Sequence, residues 1–471
     1  MQKSVLVEIL RSLNRKEVRD LQKWLQSPAH NQRSDVIHLF DFLVESLTKE
    51  KTLPEKEQAW NTVFPGEPFD DARLRQAMYF LLKNVEDFLI FNDLTSDPVK
   101  GQIVLTKIYL QRKLDKAYRQ ASRLSREYLV KQKLRSSYYL LHKTQLEIEE
   151  NNHWNTSQNV AFNLQETSDA LEKWFLAEKM RISYAMQAHQ KVYQTTDYDM
   201  GMLDLILPYI NSHQMLEEPA IAVYYYAYLT LLQPSEEKHF DELVKLIQKV
   251  GEVFDPSEAR TLYIAAINYC VPKINQGQLE FARRAYMLYR TGLETGILIE
   301  NDQISRYTFG NAVAFAIKIG EFEWAEQFIE NFQHLLDDKQ RISIVNFNLS
   351  RLYFEKGDYN QAQRLLTRFE YDDMLFNIIA KTMLLKIYYE VSELDAFESL
   401  LESMRIYLQR KEALDPTRKA SYKNMISLMK KLLNLNPYSK AQTERLHKLV
   451  LETQPLMERD WLLRQLEHSR K

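Results

Sequence analysis

Cysteine is almost missing from this chain: Cys270 is the only one in 471 residues. That excludes an intramolecular disulfide and any multi-cysteine metal site, and it suits a reducing compartment. Glycine is nearly as scarce, ten residues or about 2% of the chain against roughly 7% in average proteins. Thirteen prolines are unevenly spread, with none between Pro272 and Pro416. A fold of strands and tight turns needs far more of both residues, so the scarcity predicts an all-α fold. Long apolar runs are absent too. The longest uncharged stretch, PAIAVYYYAYLTLLQPS from Pro219 to Ser235, follows Glu217 and Glu218. It is shorter than the ~20 residues a bilayer requires, so no membrane span is expected. The opening MQKSVLVEILRSLNRKEVRDL lacks the unbroken apolar centre of a signal peptide, and a cytoplasmic location is expected. Neither sign of charge is in excess, since 62 basic residues face 64 acidic ones for a net charge of −2. No global field therefore draws the chain to nucleic acid or membrane, and any such attraction has to be local.

What is present belongs to a folded protein: 45% hydrophobic and 27% charged residues. The length asks for two or three domains or one extended solenoid. Residues 1–95 predict an N-terminal module of five short amphipathic helices, broken at Asn14, at SPAHN (Ser27 to Asn31), near Pro54 and at FPGEPFDD (Phe64 to Asp71). NDLTSDPVKGQ, Asn92 to Gln102, is the best linker candidate, and a helical solenoid is expected over residues 103–471. Helix starts are well marked. Asp255-Pro256-Ser257-Glu258 offers an N-cap, a first-turn proline and a capping-box glutamate, and Asp415-Pro416 repeats its first two elements. Paired acids at Asp70-Asp71, Glu217-Glu218, Asp337-Asp338 and Asp372-Asp373 resemble acid/base catalysts, but their place ahead of helices makes them caps.

A repeat emerges around the glycines. Gly357-Asp-Tyr-Asn-Gln-Ala362 is matched by Gly320-Glu-Phe-Glu-Trp-Ala325 and Gly277-Gln-Leu-Glu-Phe-Ala282, and Ser392-Glu-Leu-Asp-Ala-Phe397 continues the series. Arg112-Lys-Leu-Asp-Lys-Ala117 has the same shape without the glycine. The intervals of 43, 37 and 35 residues lie in the range of solenoid repeats. Glycine reaches left-handed angles cheaply, so it ends one helix and lets the next fold back. The large apolar residue after it is expected to plug the hinge, and the alanine to sit where the helices cross at close range. A phosphate loop would need clustered glycines, and none occur.

LSRLYFEKGDYNQA, Leu349 to Ala362, resembles the tetratricopeptide repeat: Leu349, Ser350, Tyr353, Gly357, Tyr359 and Ala362 fall at its signature intervals, followed by Leu366 and Phe369. The best-defined repeats cover residues 260–412. The N-terminal part looks like the head of uncharacterised bacterial helical-repeat proteins, through SPAHN and FPGEPF…NVEDFL. The tetratricopeptide likeness implies a groove lined by the first helix of each unit. Carried across by register, the lining residues are Tyr307 and Ile317, then Phe347, Arg351 and Phe354, then Lys386 and Tyr389. The large apolar ones are equally consistent with burial between repeats. The paired lysines and asparagines with which some relatives grip a C-terminal carboxylate are missing, so an extended or helical segment with apolar anchors and some acidic character is the implied ligand.

Chemistry is harder to find. Glu150-Asn-Asn-His153 and Glu236-Glu-Lys-His239 have the Glu-x-x-His form of bundle metal sites, but one lies at a polar helix end and the other at a helix start, which favours a surface role. Cys270 sits among apolar residues as a small hydrophobe. Tyr224, Tyr225, Tyr226 and Tyr228 point in different directions on a helix and fit core packing. No GxSxG or HExxH pattern occurs. No cofactor, metal or catalytic residue is expected. One feature rises above background: from Lys107 to Lys143 there are eleven basic residues and two acids. On a helix Arg112, Lys116, Arg119, Arg123 and Arg126 form one cationic stripe opposite Leu114, Ala117, Ala121, Leu124 and Tyr128. Glu147, Glu149 and Glu150 stand available to neutralise it within the protein. Three classes follow: a non-catalytic scaffold or adaptor for a protein or peptide partner, a binder of RNA or another polyanion through the stripe, and, with least support, an enzyme assembled from scattered residues.

Overall fold

The computed structural model describes residues 4–49, 55–154, 164–193, 197–367, 374–410, 415–436 and 439–468. Among these residues every regular element is helical, and the sole β-type pairing is an isolated bridge between Glu300 and Gln303. In chain order the α-helices are α1 (Val5–Ser12), α2 (Arg15–Gln26), α3 (Ser34–Lys49), α4 (Lys56–Val63), α5 (Asp71–Ser96), α6 (Pro98–Gln111), α7 (Asp115–Lys131) and α8 (Ser137–Trp154). They continue as α9 (Leu164–Val192), α10 (Leu203–Ser212), α11 (Pro219–Leu232), α12 (Glu237–Ile247), α13 (Val250–Val253), α14 (Pro256–Asn275), α15 (Leu279–Glu294) and α16 (Arg306–Lys318). The series closes with α17 (Phe322–Phe332), α18 (Arg341–Glu355), α19 (Tyr359–Thr367), α20 (Met374–Glu390), α21 (Leu394–Arg410), α22 (Pro416–Leu433), α23 (Lys440–Glu452) and α24 (Arg459–His468). The chain divides into two compact units, one of Met1–Ile182 with Met200–Ala222, the other of Ser183–Asp199 with Val223–Lys471.

In the first unit, α1 to α5 share a core in which Leu21, Leu25, Leu39, Leu43, Leu74 and Leu81 are fully buried. Local chemistry sets their ends. Asn14 and Glu17 form a reciprocal capping box, the Glu17 amide donating to Asn14 Oδ1 at 3.0 Å and the Asn14 amide to Glu17 Oε2 at 2.8 Å. In SPAHN, Asn31 Nδ2 donates to the carbonyls of Leu25 and Arg33 and fixes the turn into α3. Asp70 caps α5, accepting from the amides of Ala72 and Arg73 at 2.8 and 3.1 Å. The linker expected at Asn92–Gln102 is not one. Helix runs up to Ser96 and restarts at Pro98, with Asp97 alone between them capping α6. An N-cap aspartate followed by proline is itself a helix start, so Asp97-Pro98 marks a corner. Of the other paired acids, Asp337 accepts from the Lys339 amide at 2.9 Å just ahead of α18, and Asp372-Asp373 lie outside the described residues.

In the second unit, α14–α15, α16–α17, α18–α19 and α20–α21 are helix pairs packed within each pair, as are α6–α7 in the first. All five are joined by the same hinge. Its pivot is left-handed: φ is +88° at Gly277, +86° at Gly320, +81° at Gly357, +62° at Ser392 and +56° at Lys113. The next amide donates back five residues in every case, Asp358 to Tyr353, Glu321 to Ala316, Gln278 to Lys273, Glu393 to Tyr388 and Leu114 to Tyr109, at 2.8–3.1 Å. This is the helix-ending closure that satisfies an orphan carbonyl. Five positions after the pivot stands a buried residue: Ala282, Ala325, Ala362, Phe397 or Tyr118.

The geometry corrects two expectations. At the upstream hinge the pivot is Lys113, so its register is Lys113 to Tyr118, one residue later than Arg112 to Ala117. The large apolar residue after the pivot covers the hinge only in part: Tyr359 packs on Phe354, with ring centres 5.4 Å apart, but its counterparts at two other hinges stay out. Leu279 and Leu394 are 61% and 47% exposed, while Tyr359 and Phe322 are half-buried. The hydrogen bonds close the turn whether or not that residue is buried.

Candidate functional site

The residues expected to line a groove on α16, α18 and α20 have unequal fates. Phe347 and Phe354 are buried, at 2% and 7% exposure, and Ile317 is half-buried. Tyr307 is exposed, and its hydroxyl accepts from Arg306 Nη2 at 2.8 Å. Lys386 is tied up: its ammonium is 3.0 Å from Glu458 and 4.6 Å from the centre of the Phe354 ring. Tyr389 lies edge-on to Trp461, with ring centres 5.4 Å apart, and Trp461 Nε1 donates to Glu390 at 2.9 Å. Gln465 donates to the same Glu390 carboxylate. These α24 partners, some seventy residues from α20 in the chain, were not foreseen. The signal available was Trp461 with Leu462 and Leu466, an apolar helical spacing, without any indication of where it docks.

Arg351 is different. Its guanidinium lies 5.8 Å from the centre of the Phe347 ring and has no hydrogen-bond or ion-pair partner among the described residues. Burial holds its pKa below the ordinary guanidinium value, and the charges of Glu355 and Glu458 only partly offset this. The side chain remains partly exposed. A partly exposed cation that its surroundings desolvate attracts an incoming anion more strongly than a fully solvated one does.

The second candidate is the basic segment. Its stripe does not lie on a single helix, because Arg112 caps the end of α6 and α7 begins at Asp115. The buried face of α7 is Tyr118, Ala121, Ser125 and Leu129, whereas Leu114 is 47% exposed. At 100° per residue that face is turned by about 65° from the expected one. Hence Arg126 stands at the flank of the buried face and bridges to α8. Its guanidinium contacts Glu150 and lies 3.2 Å from Glu147. Burial pushes the Glu147 carboxyl up and Arg126 offsets this only in part, while hydrogen bonding to Glu150 raises Arg126. Arg123 is 3.5 Å from Glu127. Arg112, Lys116 and Arg119 are exposed and have no ion-pair partner among the described residues.

No protein-family model matches the chain, and no curated protein matches it. The remaining chemical candidates are readily placed. Cys270 is fully buried, and burial pushes its thiol up to about 12, so it is inert at neutral pH. His239 is buried where a surface role was expected, its Nε2 3.1 Å from Gln233 Oε1, while Glu236 pairs with Lys238 at 3.2 Å. The His153 side chain lies outside the described residues. Tyr224 and Tyr228 are buried, and Tyr225 and Tyr226 are half-buried. Among the described residues no group of three His, Cys, Asp or Glu is placed to hold a metal ion, and no helix is long and apolar enough to cross a membrane.

Proposed function

We propose that this chain is a non-catalytic scaffold or adaptor, a tetratricopeptide-like solenoid of antiparallel helix pairs that binds a carboxylate-bearing segment of a partner protein. The observation that carries the reading is Arg351, a partly buried guanidinium on the first helix of the unit that most resembles the family, with no ion-pair partner among the described residues. The recurring left-handed hinge supports the architecture, because stacked pairs with one closure present their first helices along a common surface. Lys386 is a lesser anchor, since Glu458 already answers it. The test is affinity purification of the full chain from native cells, with and without nuclease, comparing the wild type with Arg351→Ala. Loss of a nuclease-resistant protein partner in the variant, with unchanged melting, is expected, and undiminished retention removes this face from consideration.

A second reading, binding of RNA or another polyanion, rests on the three unpaired cations Arg112, Lys116 and Arg119. It requires nucleic-acid binding that weakens steeply with salt and is lost on reversing those three charges.

A further inference from the structure

The N-terminal helices carry a surface feature that the preceding reading does not use. A cleft of 710 Å³ opens between the end of α1, the start of α2 and the end of α3. Its floor is apolar, made by Leu10, Leu13, Val18, Val44 and Leu47. Its rim is basic, made by Arg11, Arg15 and Arg19, and among the described residues no acid lines it. All three arginines are exposed, and none has an ion-pair partner among the described residues. The helix macrodipole accounts for Arg11, in the last turn of α1, but not for Arg15, which opens α2 where a cation is disfavoured. Nearby acids are engaged elsewhere, Glu17 in the capping box and Asp20 with Lys23.

We propose that this cleft docks an acidic amphipathic helix of a partner protein. Arg15 and Arg19 are one turn apart and share a face of α2, so acids one turn apart on an incoming helix match their spacing. Apolar residues at i, i+3, i+4 and i+7 of that helix then cover the floor. A nucleic acid fits less well, since no aromatic ring lines the cleft to stack a base.

The test uses the full chain and fluorescence anisotropy with a labelled helical peptide of leucines on one face and glutamates on the other. The control probe carries lysine for each glutamate, with oligouridine and phosphatidylserine vesicles as further probes. The wild type is expected to bind the acidic peptide and not its lysine counterpart. Arg15→Glu with Arg19→Glu keeps the helical circular dichroism, weakens acidic-peptide binding by roughly tenfold or more, and gains affinity for the lysine peptide. Leu47→Ser weakens the same complex without changing charge. Binding of the acidic peptide that survives the double reversal overturns the proposal. So does a wild type that binds oligouridine or vesicles through these arginines while ignoring the acidic peptide.

Discussion

Glycine-for-side-chain exchanges at the hinges separate backbone strain from packing. A Cβ built on Gly277, Gly320 or Gly357 meets nothing within 4 Å, so an alanine there encounters no neighbour and only the left-handed backbone resists it. That conformation costs an ordinary residue roughly 1–2 kcal/mol. Replacing glycine recovers about 0.4–1 kcal/mol through the unfolded chain. Gly357→Ala is therefore expected to destabilise the α18–α19 pair by about 1 kcal/mol. Ser392 and Lys113 occupy the same pivot with side chains, at φ of +62° and +56°. Ser392→Gly and Lys113→Gly reverse the ledger and are expected to stabilise their pairs by about the same amount. Hydrogen exchange by mass spectrometry reads this locally: amides of α18 and α19 exchange about fivefold faster in Gly357→Ala, and those of α20 and α21 about fivefold slower in Ser392→Gly. A loss above about 3 kcal/mol in Gly357→Ala indicates steric control. A destabilising Ser392→Gly refutes the shared hinge.

Four further outcomes follow from the packing and the charges. Ala362→Phe is expected to cost about 1–3 kcal/mol by overpacking, whereas Phe397→Ala, at the equivalent position, costs about 3–5 kcal/mol by opening a cavity; urea midpoints distinguish them. Arg126→Glu is expected to lower stability by about 1–2 kcal/mol, discounted for its partial exposure, because it strands buried Glu147, while Arg119→Glu leaves the melting curve unchanged. The Arg33 guanidinium holds the Asp35 carboxyl below the usual carboxylate range, so its contribution is full above about pH 4, the ordinary unfolded value, and is lost as pH falls through the lowered folded one. Urea midpoints of Arg33→Ala should lack that acid decline. Cys270, its thiol raised by burial, should resist alkylation at pH 8 until denaturant is added; rapid native labelling would contradict its burial.

The helical class was legible because it depends on what the chain lacks, and scarcity of glycine and proline acts at every position. Helix starts were legible because caps are local, as at Asn14, Asp70 and Asp255. The hinge was legible where glycine announced it and at Ser392, where the residues that follow repeat the pattern at the expected interval. At Lys113 the backbone is equally left-handed, but a lysine carries no such signal, and the register slipped by one residue. The α7 face was misplaced for a related reason: Ser125 and Tyr118 are buried there, while Leu114, the most apolar residue of the turn, stays out. Polarity alone does not say which flank a neighbouring helix covers. The groove residues met the same limit. Nothing near Lys386 or Tyr389 in the sequence announces Glu458 and Trp461, whose approach is decided by tertiary packing.

The contacts that α24, with Glu458 just ahead of it, makes on α20 bear on assembly. Glu458 answers Lys386, Trp461 and Gln465 both donate to Glu390, and Trp461, Leu462 and Leu466 lie in the shared core. Taking α24 away leaves a cation, an anion and an apolar strip in register on one helix face, a surface to which a homologous segment of another molecule is complementary. With α24 in place those groups are satisfied within the chain, so this face of α20 is closed to another molecule.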